Sequence, residues 1–314
     1  MKRLALAVLL FFLVFACFQY LYVGSPEDVS KKDSFEVIAH RGVHHDFHKE
    51  NLDNHTCTAS RIYKPTHNYI ENTIDSIQAA FDYGATIVEI DIRPTKDKRL
   101  VVFHDYGLEC RTNGKGKVWE HSLDDLRKLD VGYGYTHDGG KTYPFRGKGI
   151  GKIKTLDEVL ERFPDKKFLI DNKNGNDMEV AQLIVDNLLL LPEEQRRNVY
   201  LWADDDAYDY IHKAVPDVAR LFMPKYRQKE FFKSYILSFG LKGVGSEYKN
   251  NGLGLPVGYT KYIWGWPYRF LKKIYNAEAR FYLFLNTEDE LKKVSDIPLD
   301  GIVTDHIEVL SPHL

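Results

Sequence analysis

From Phe35 onward, short runs of β-branched and aromatic residues alternate with amphipathic segments, and this alternation limits the possible folds more than any other feature. Such alternation is typical of βα units that build a parallel sheet. Strands are predicted at residues 35–40, 86–92, 167–172, 198–203, 218–223, 242–247, 280–285 and 301–305, and helices at 71–84, 122–129, 155–163, 178–191 and 287–294. Eight strands over this length predict an α/β fold, the (β/α)8 TIM barrel. A doubly wound sheet is the alternative, although its usual glycine-rich turn after the first strand is missing.

The apolar run 100–104 lies too close to the second predicted strand to follow a crossover helix. A parallel connection needs a dozen or more residues. We therefore predict that residues 93–99 form a hairpin turn and that the run after them returns antiparallel to the second strand. Because the two arms have similar lengths, His104 is predicted to lie beside Asp91.

The N-terminal segment carries Lys2 and Arg3 and then no charge over residues 4–23. This apolar length matches the hydrocarbon core of a bilayer, so an uncleaved membrane anchor is the first interpretation. A cleaved signal peptide is the second, because the sequence offers only a poor cleavage site, and a lipoprotein acylated at Cys17 is the third. The basic pair favours a cytoplasmic N-terminus, which predicts a catalytic domain outside the cytoplasm, periplasmic or extracellular.

These features predict three parts of the chain. Residues 1–24 form the anchor or signal segment, residues 25–34 a linker, and residues 35–314 the barrel domain. The formal net charge of −2 provides no basic field, which excludes nucleic acid as a partner. Cys57 and Cys110 could pair in an oxidising compartment or remain reduced, and both alternatives stay open because sequence does not give their Cα separation.

Glu89 and Asp91 are two carboxylates inside an apolar predicted strand, and their i, i+2 spacing points them to the same side. Ionised carboxylates in apolar surroundings are costly unless something pairs with them. One interpretation is a partly exposed hairpin strand with alternating polar positions. The other is a divalent cation that compensates the charge. Polar residues stand at the carboxyl ends of the first three predicted strands and of the last one. The active sites of such barrels lie at these ends, which favours the second interpretation.

Six short motifs follow one another along the chain: "AHRG" (39–42), "IENT" (70–73), "EIDI" (89–92), "HD" (104–105), "IDNK" (170–173) and "DGIVTD" (300–305). Together they resemble the glycerophosphodiester phosphodiesterase family, which are TIM-barrel phosphodiesterases similar to phosphatidylinositol-specific phospholipase C. The resemblance covers essentially the whole soluble chain. It implies a phosphoric diester hydrolase that cleaves glycerophosphodiesters to sn-glycerol 3-phosphate and an alcohol.

The resemblance also implies a general acid–base pair of histidines, a substrate-binding group and one divalent cation held by carboxylates. Oxygen ligands suit Ca²⁺ or Mg²⁺ better than zinc. The implied residues are His40 and His104 for catalysis, Arg41, Glu71 and Lys173 for substrate binding, and Glu89, Asp91 and Asp171 for the metal.

Two of these assignments have an alternative or a departure from the family pattern. The family usually has a glutamate at the position of Asp171, so the ion must sit closer here or accept a bridging water. Glu71 could instead stabilise the N-terminus of the helix that follows it.

Residues 43–69, which lie in the 43–70 spacer between the first two motifs, and residues 131–151 are irregular and follow elements that end at the active face, so both are predicted rim or lid loops. The first loop is histidine-rich, which predicts either an accessory metal site or a polar surface loop. Its histidines are His44, His45, His48, His55 and His67.

Residues 259–275 interleave aromatic and basic side chains, a composition that suits contact with lipid head groups. The alternative is a helix that packs on the barrel. If the segment binds lipid, the enzyme could be a lysophospholipase D acting on a lysolipid phosphodiester rather than on a small-molecule one. A barrel that binds phosphodiesters without turnover is the third possibility.

Overall fold

The computed structural model describes residues 2–29, 34–53 and 56–314. These residues divide into two compact units, a smaller one (Met1–Glu36 and Leu221–Val303) and a larger one (Val37–Arg220 and Thr304–Leu314). Part of the predicted linker, residues 30–33, lies outside the described residues, as does His55 of the histidine-rich loop.

The helices and strands alternate along most of the chain, as predicted. The helices are α1 (Lys2–Leu21), α2 (Ile74–Asp82), α3 (Leu123–Arg127), α4 (Leu156–Arg162), α5 (Met178–Leu189), α6 (Glu193–Arg196), α7 (Asp205–Ala214), α8 (Lys225–Leu237), α9 (Tyr268–Asn276), α10 (Glu288–Lys292) and α11 (Ile307–Leu310). The strands are β1 (Glu36–Ala39), β2 (Ile87–Pro94), β3 (Leu100–Val102), β4 (Lys167–Asn172), β5 (Val199–Trp202), β6 (Ala219–Arg220), β7 (Gly252–Pro256), β8 (Arg280–Phe284) and β9 (Gly301–Thr304).

In the larger unit, β2 pairs in parallel with β1 and β4, and β4, β5 and β6 continue the parallel sheet. Strand β3 is antiparallel to β2, with Val102 opposite Ile92, so the predicted hairpin is confirmed. The turn closes where the backbone N–H of Thr95 donates to the carbonyl of Arg99 at 2.8 Å. The hairpin therefore carries the residues after Val102 back along β2 to Asp91, whose carbonyl accepts from the backbone N–H of Phe103 at 2.9 Å.

Helix α2 fixes the chain next to the site. Its N-cap residue Thr73 accepts a hydrogen bond from the backbone N–H of Ser76, and the Ser76 hydroxyl completes a capping box. Ile77 and Phe81, four residues apart on one face, are buried. A capped start and a buried face hold the residues just before the helix, including Glu71, in a defined place.

The smaller unit contains β7, β8 and β9 as parallel neighbours. The strand predicted at residues 242–247 is wrong, because these residues form no strand and β7 begins at Gly252. A Cβ on Gly252 would lie 3.0 Å from the ring of Tyr282, and one on Gly254 would lie 2.4 Å from the ring of Phe284. Glycine is needed beside these rings, and it removes the β-branched pattern by which a strand is recognised.

The five predicted helices are confirmed, with shorter ends, and α9 lies in the segment for which a packing helix was the alternative interpretation. Helices α6, α8 and α11 were not predicted. Helix α8 buries aromatic residues such as Phe231 and Tyr235 without the apolar stripe of an amphipathic helix, which explains the omission. Throughout the ranges that the structure describes, no helix has both the length and the apolar character needed to cross a bilayer.

The aromatic segment 259–275 contains a packing helix, which was one of its two interpretations, whereas its contact with lipid stays a prediction. Phe270 and Ile274 of α9 are fully buried, as expected for a packing helix. Tyr259 and Tyr262, which precede α9, are 58% and 54% exposed. Only the part before α9 therefore presents aromatic side chains to the surroundings in the described structure.

Candidate active site

Glu89 and Asp91 lie in β2, which is buried from Ile87 through Arg93. Their side chains are 1% and 0% exposed, so the interpretation as a partly exposed strand is wrong. The parallel register places Asp171 of β4 opposite Asp91. One oxygen from each of the three carboxylates lies within 4.8 Å of the other two, and we refer to Glu89, Asp91 and Asp171 as the carboxylate triad.

Two cationic side chains neutralise part of the charge of the carboxylate triad. Lys173 Nζ lies 2.9 Å from Asp91 Oδ1 and 2.5 Å from Asp171 Oδ2. Arg41 Nε lies 3.3 Å from Asp91 Oδ2, and the backbone N–H of Arg41 donates to Glu89 Oε2 at 2.9 Å. Burial alone would raise the pKa of Asp91, but Lys173 and Arg41 outweigh it and hold this pKa well below its usual range.

Glu89 has the least compensated charge of the triad. Its Oε1 atom is buried and has no hydrogen-bond partner among the described residues. Burial, and next the charge of Asp91, raise the pKa of Glu89 well above its usual value. A cation bound by the three carboxylates would favour the ionised form of Glu89 and use this oxygen as a ligand. The residues present thus fit a site for a hard divalent cation.

His40 follows β1 and lies between two carboxylates. Its Nδ1 atom lies 2.7 Å from Asp305 Oδ1, and its Nε2 atom lies 3.9 Å from Glu89 Oε2. If Nδ1 carries the proton and donates to Asp305, the neutral ring has its lone pair on Nε2. Burial, and next the charge of Arg41, lower the pKa of His40 to about 4, so the ring is neutral at pH 7.

His104 repeats this arrangement at the end of the hairpin. Its Nδ1 atom lies 2.6 Å from Asp105 Oδ1, and burial followed by the charge of Arg41 lowers its pKa. Arg93 donates from Nε and Nη2 to the carbonyl of His104 at 3.0 and 2.8 Å, and from Nη1 to the carbonyl of Lys173 at 3.0 Å. The guanidinium of Arg93 therefore joins the end of the hairpin to the end of β4.

Glu71 binds two arginines. Arg41 Nη1 donates to its Oε1 at 3.0 Å, and Arg111 Nη1 donates to its Oε2 at 2.8 Å. Burial would raise the pKa of Glu71, but the two guanidinium groups outweigh burial and hold it below its usual range. Thr73 supplies the N-cap of α2, and the Glu71 carboxylate is directed at the two arginines.

Arg41 and Asn72 have left-handed backbone conformations, with φ of 59° and 57°. Non-glycine residues adopt this region rarely and at an energetic cost. At both positions the conformation directs polar groups at the carboxylate triad. Asn72 Nδ2 donates to Asp91 Oδ2 at 2.8 Å, and the backbone N–H of Asp91 donates to Asn72 Oδ1 at 3.1 Å. Backbone strain of this kind is typical of functional sites.

The eight residues implied by the resemblance lie in one network of contacts within the larger unit, and their catalytic and binding roles remain predictions. Sequence reasoning missed five further members of the network. Three of them are Asn72, Asp105 and Asp305, which stand inside the quoted motifs. The other two are arginines that none of the six motifs contains. The missed residues are Asn72, Arg93, Asp105, Arg111 and Asp305.

A disulfide and side-chain contacts connect the histidine-rich loop to the site. Cys57 of this loop forms a disulfide with Cys110, with a Cα–Cα distance of 5.3 Å. His44 and His45 are buried, so a polar surface loop is wrong for these two residues. His44 Nε2 lies 3.3 Å from Asp305 Oδ1 and therefore shares this carboxylate with the first predicted histidine.

The comparisons with known proteins agree on one family. The sequence profile of the Glycerophosphoryl diester phosphodiesterase family matches residues 40–309. The chain is 42% identical over 96 residues to a glycerophosphodiester phosphodiesterase of Bacillus subtilis (strain 168), a match that covers 30% of this chain and only 31% of the relative. It is 25% identical over 246 residues to a glycerophosphodiester phosphodiesterase of Bacillus altitudinis, covering 76% of this chain and 90% of the relative. It is also 28% identical over 159 residues to "Lysophospholipase D GDPD1" of Mus musculus, covering 49% and 47%.

Solved structures show the same fold. The glycerophosphodiester phosphodiesterase from Agrobacterium tumefaciens str. C58 has a TM-score of 0.58 at 17% identity, covering 89% of this chain and 100% of that one. The Oleispira antarctica phosphodiesterase in complex with the product sn-glycerol-3-phosphate has a TM-score of 0.57 at 21% identity, covering 88% and 95%. These structures confirm the predicted (β/α)8 TIM-barrel class. With the profile match across most of its length, the chain belongs to the glycerophosphoryl diester phosphodiesterase family.

Proposed function

We propose that this chain is a metal-dependent phosphodiesterase that hydrolyses glycerophosphodiesters to sn-glycerol 3-phosphate and an alcohol. The observation that carries the proposal is the arrangement of His40 and His104. Each ring has a carboxylate on Nδ1, and both belong to the network that contains the carboxylate triad and Arg41. The relative from Oleispira antarctica, in complex with sn-glycerol-3-phosphate, supports this product class.

The two histidines supply proton transfer. One neutral ring accepts the proton of the attacking hydroxyl at Nε2, and the other donates a proton to the departing alcohol oxygen. Burial lowers the pKa of both rings and so favours the neutral form, whose lone pair can accept a proton. The negative charge of a bound phosphodiester raises the pKa of the ring that faces the leaving oxygen, which suits the donating role. Asp305 and Asp105 hold the two rings in the required tautomer.

The carboxylate triad would hold the cation, and its all-oxygen donor set suits Ca²⁺ or Mg²⁺. Bound there, the cation would offset the charge that develops on the phosphate oxygens. Arg41 and Lys173 add fixed positive charge at the same place, and burial strengthens its effect on an anionic substrate. A phosphodiester is thereby held by local cations, in a chain whose net charge is only −2.

A lysophospholipase D is the second candidate function. The match to the mouse lysophospholipase D favours it, together with the exposed aromatic rings of Tyr259 and Tyr262. We propose that these rings contact a lipid surface, as Tyr side chains do at bilayer interfaces.

We also propose that the domain functions outside the cytoplasm, through export or anchoring by residues 1–24. The Cys57–Cys110 disulfide supports this location, because disulfides persist in oxidising compartments. Fractionation of cells that express the full chain tests it. Recovery in the cytosolic fraction with both thiols free to alkylation would contradict the proposal.

The activity is tested with the full chain, incubated with glycerophosphocholine or lysophosphatidylcholine and assayed for released choline. The reactions contain Ca²⁺, Mg²⁺ or a chelator. We expect release from glycerophosphocholine that is lost with chelator and in His40→Ala. Release from lysophosphatidylcholine alone would favour the second candidate. Folded, metal-loaded protein that turns over neither substrate would reject both and leave a binding protein.

A further inference from the structure

Arg111 is a buried arginine, 3% exposed, that follows the disulfide-bonded Cys110. Its Nε atom lies 3.0 Å from Asp105 Oδ2, and its Nη1 atom lies 2.8 Å from Glu71 Oε2. The planar fork of a guanidinium can bind two carboxylates at once, which the single ammonium of lysine cannot do in the same geometry. One arginine thus holds two carboxylates that come from different segments.

Each of these carboxylates uses its other oxygen to hold a residue of the proposed reaction. Asp105 Oδ1 lies 2.6 Å from His104 Nδ1, and Glu71 Oε1 accepts from Arg41 Nη1 at 3.0 Å. Arg111 therefore determines the position of an imidazole and of a guanidinium. Glu71, His104 and Arg111 line the same small pocket, together with other residues.

The same side chain joins the two loops predicted to border the site. Arg111 Nη2 donates to the hydroxyl of Thr58, in loop 43–70, at 2.8 Å. Arg111 Nη1 lies 2.9 Å from the hydroxyl of Tyr135, in loop 131–151, to which it donates. Both loops are thus hydrogen-bonded to one guanidinium.

A covalent bond reinforces the junction between loop 43–70 and the segment that carries Arg111. Cys57 precedes Thr58 and Cys110 precedes Arg111, so the disulfide joins the two segments that the Thr58–Arg111 hydrogen bond also joins. The backbone N–H of Gly134 donates to the carbonyl of Arg111 at 3.3 Å, and a Cβ on Gly134 would lie 1.8 Å from the carbonyl oxygen of Cys110. The second loop therefore approaches the disulfide too closely for any residue but glycine.

We propose that Arg111 is a positioning residue for His104 and Arg41, and that the Cys57–Cys110 disulfide holds Arg111 in place. The inference rests on the proposed hydrolysis and adds a dependence on oxidation. A dithiol that reduces the disulfide breaks the S–S bond and transfers two electrons and two protons to the two sulfurs. The dithiol itself becomes a disulfide. After reduction only hydrogen bonds hold the junction, so turnover falls.

A double-mutant cycle on turnover tests the role of Arg111. Asp105→Asn is expected to lower kcat by roughly 100-fold, and Arg111→Gln by roughly 30-fold. If Arg111 acts largely through Asp105, adding Arg111→Gln to Asp105→Asn lowers kcat by only about a further threefold. Arg111→Lys keeps the charge but loses the fork, so we expect an approximately 10-fold loss and a folded protein.

Stabilisation by Ca²⁺ separates a specific effect of Arg111 on turnover from a general loosening of the fold. A loosened fold would weaken cation binding as well as turnover. The rise in melting temperature with Ca²⁺ should change little in Arg111→Lys, because Arg111 reaches the carboxylate triad only indirectly, through Glu71 and Arg41. The matched control is Arg196→Lys, whose Nε lies 2.5 Å from Asp217 Oδ2 on another part of the larger unit. This control should keep full kcat.

Reduction tests the disulfide. Wild-type protein treated with dithiothreitol, and the double variant Cys57→Ser, Cys110→Ser, should each lose about 10-fold in kcat while they remain folded. Reoxidation should restore the wild type only, and reduction should add little to Arg111→Gln. Multiplicative losses in the cycle, or full kcat in reduced, folded protein, would overturn the inference while the proposed hydrolysis stands. A wild-type protein without turnover would overturn both.

Discussion

His40 Nδ1 lies 2.7 Å from Asp305 Oδ1, although 265 residues separate the two in sequence. Asp305→Asn replaces the carboxylate by an amide that no longer stabilises a protonated ring and no longer selects the tautomer with the lone pair on Nε2. We expect kcat for glycerophosphocholine to fall by roughly 100-fold, with a smaller change in KM. Steady-state kinetics at saturating Ca²⁺ measures this effect.

Asp157→Asn is the control for Asp305→Asn. Asp157 also accepts a charged hydrogen bond, from Arg99 at 2.8 Å, but the pair is on the exposed surface. It should leave kcat within about twofold, as is usual for surface substitutions. Equal activity of Asp305→Asn and Asp157→Asn would show that the carboxylate on Nδ1 has no part in turnover.

Glu89→Gln should separate cation binding from fold stability. The raised pKa of Glu89 and its unpartnered Oε1 indicate that the ionised carboxylate is unfavourable without a cation. A neutral amide at this position should therefore leave the melting temperature in chelator unchanged or higher. In the wild type, Ca²⁺ at 100 times its Kd should stabilise by about 2.7 kcal/mol. We expect this stabilisation to disappear in Glu89→Gln, and its persistence would place the cation elsewhere.

Asp171 is the member of the carboxylate triad at which the resemblance implies a glutamate. Asp171→Glu lengthens the side chain but keeps a carboxylate opposite Asp91, so we expect the cation-induced rise in melting temperature to be retained. Asp171→Asn removes the charge and should reduce cation affinity by at least about tenfold, as loss of a ligand to a hard cation does. Titration with Ca²⁺ and Mg²⁺ by calorimetry distinguishes the two variants. Equal affinity of both would remove Asp171 from the ligand set.

His306 gives the larger unit a dependence of stability on pH. Its Nε2 lies 3.5 Å from Asp46 Oδ2 and its Nδ1 lies 3.4 Å from Glu308 Oε1. Although burial lowers the pKa of His306, these two carboxylates outweigh it and raise the pKa from 6.5 to about 9. A raised pKa stabilises the fold fully below about pH 6.5, and this contribution is lost as the pH rises through about 9.

The contribution of His306 is at most roughly 3 kcal/mol. Urea unfolding at pH 6 and at pH 10 measures it as the difference between the wild type and His306→Gln. We expect the variant to be less stable at pH 6 and nearly equal to the wild type at pH 10, and other titrating groups cancel in the comparison. A gap that widens with pH would mean that the ring is neutral in the folded protein.

Sequence reasoning located most of the sheet because strand length and turn length are local properties. The hairpin was predictable because run 100–104 follows the second strand too closely for a crossover helix. Strand β7 was missed because Gly252 and Gly254 are required by the rings of Tyr282 and Phe284, which lie elsewhere in the sequence. A residue whose identity is determined by a distant neighbour leaves no local pattern.

The residues of the site also divide into those that were predictable from the sequence and those that were not. Residues at strand ends were predictable because parallel strands bring their carboxyl ends together. Asp105 and Asp305 stood inside recognised motifs, yet their pairing with the rings depends on side-chain geometry that no spacing reveals. Arg93 and Arg111 bind carbonyls and carboxylates from several segments, and a single arginine in a sequence carries no sign of such partners.

The proposed cation site depends on the alternation of side chains between the two faces of β2. Its carboxylates Glu89 and Asp91 occupy odd-numbered positions, and the apolar Val88 and Ile90 occupy the even-numbered positions between them. A single residue inserted or deleted in β2 before Glu89 would turn both acids to the opposite face and move apolar side chains into the cation site. Changes in the length of loop 43–70 do not alter this alternation. Length variation among related chains is therefore expected in such loops and excluded from this strand.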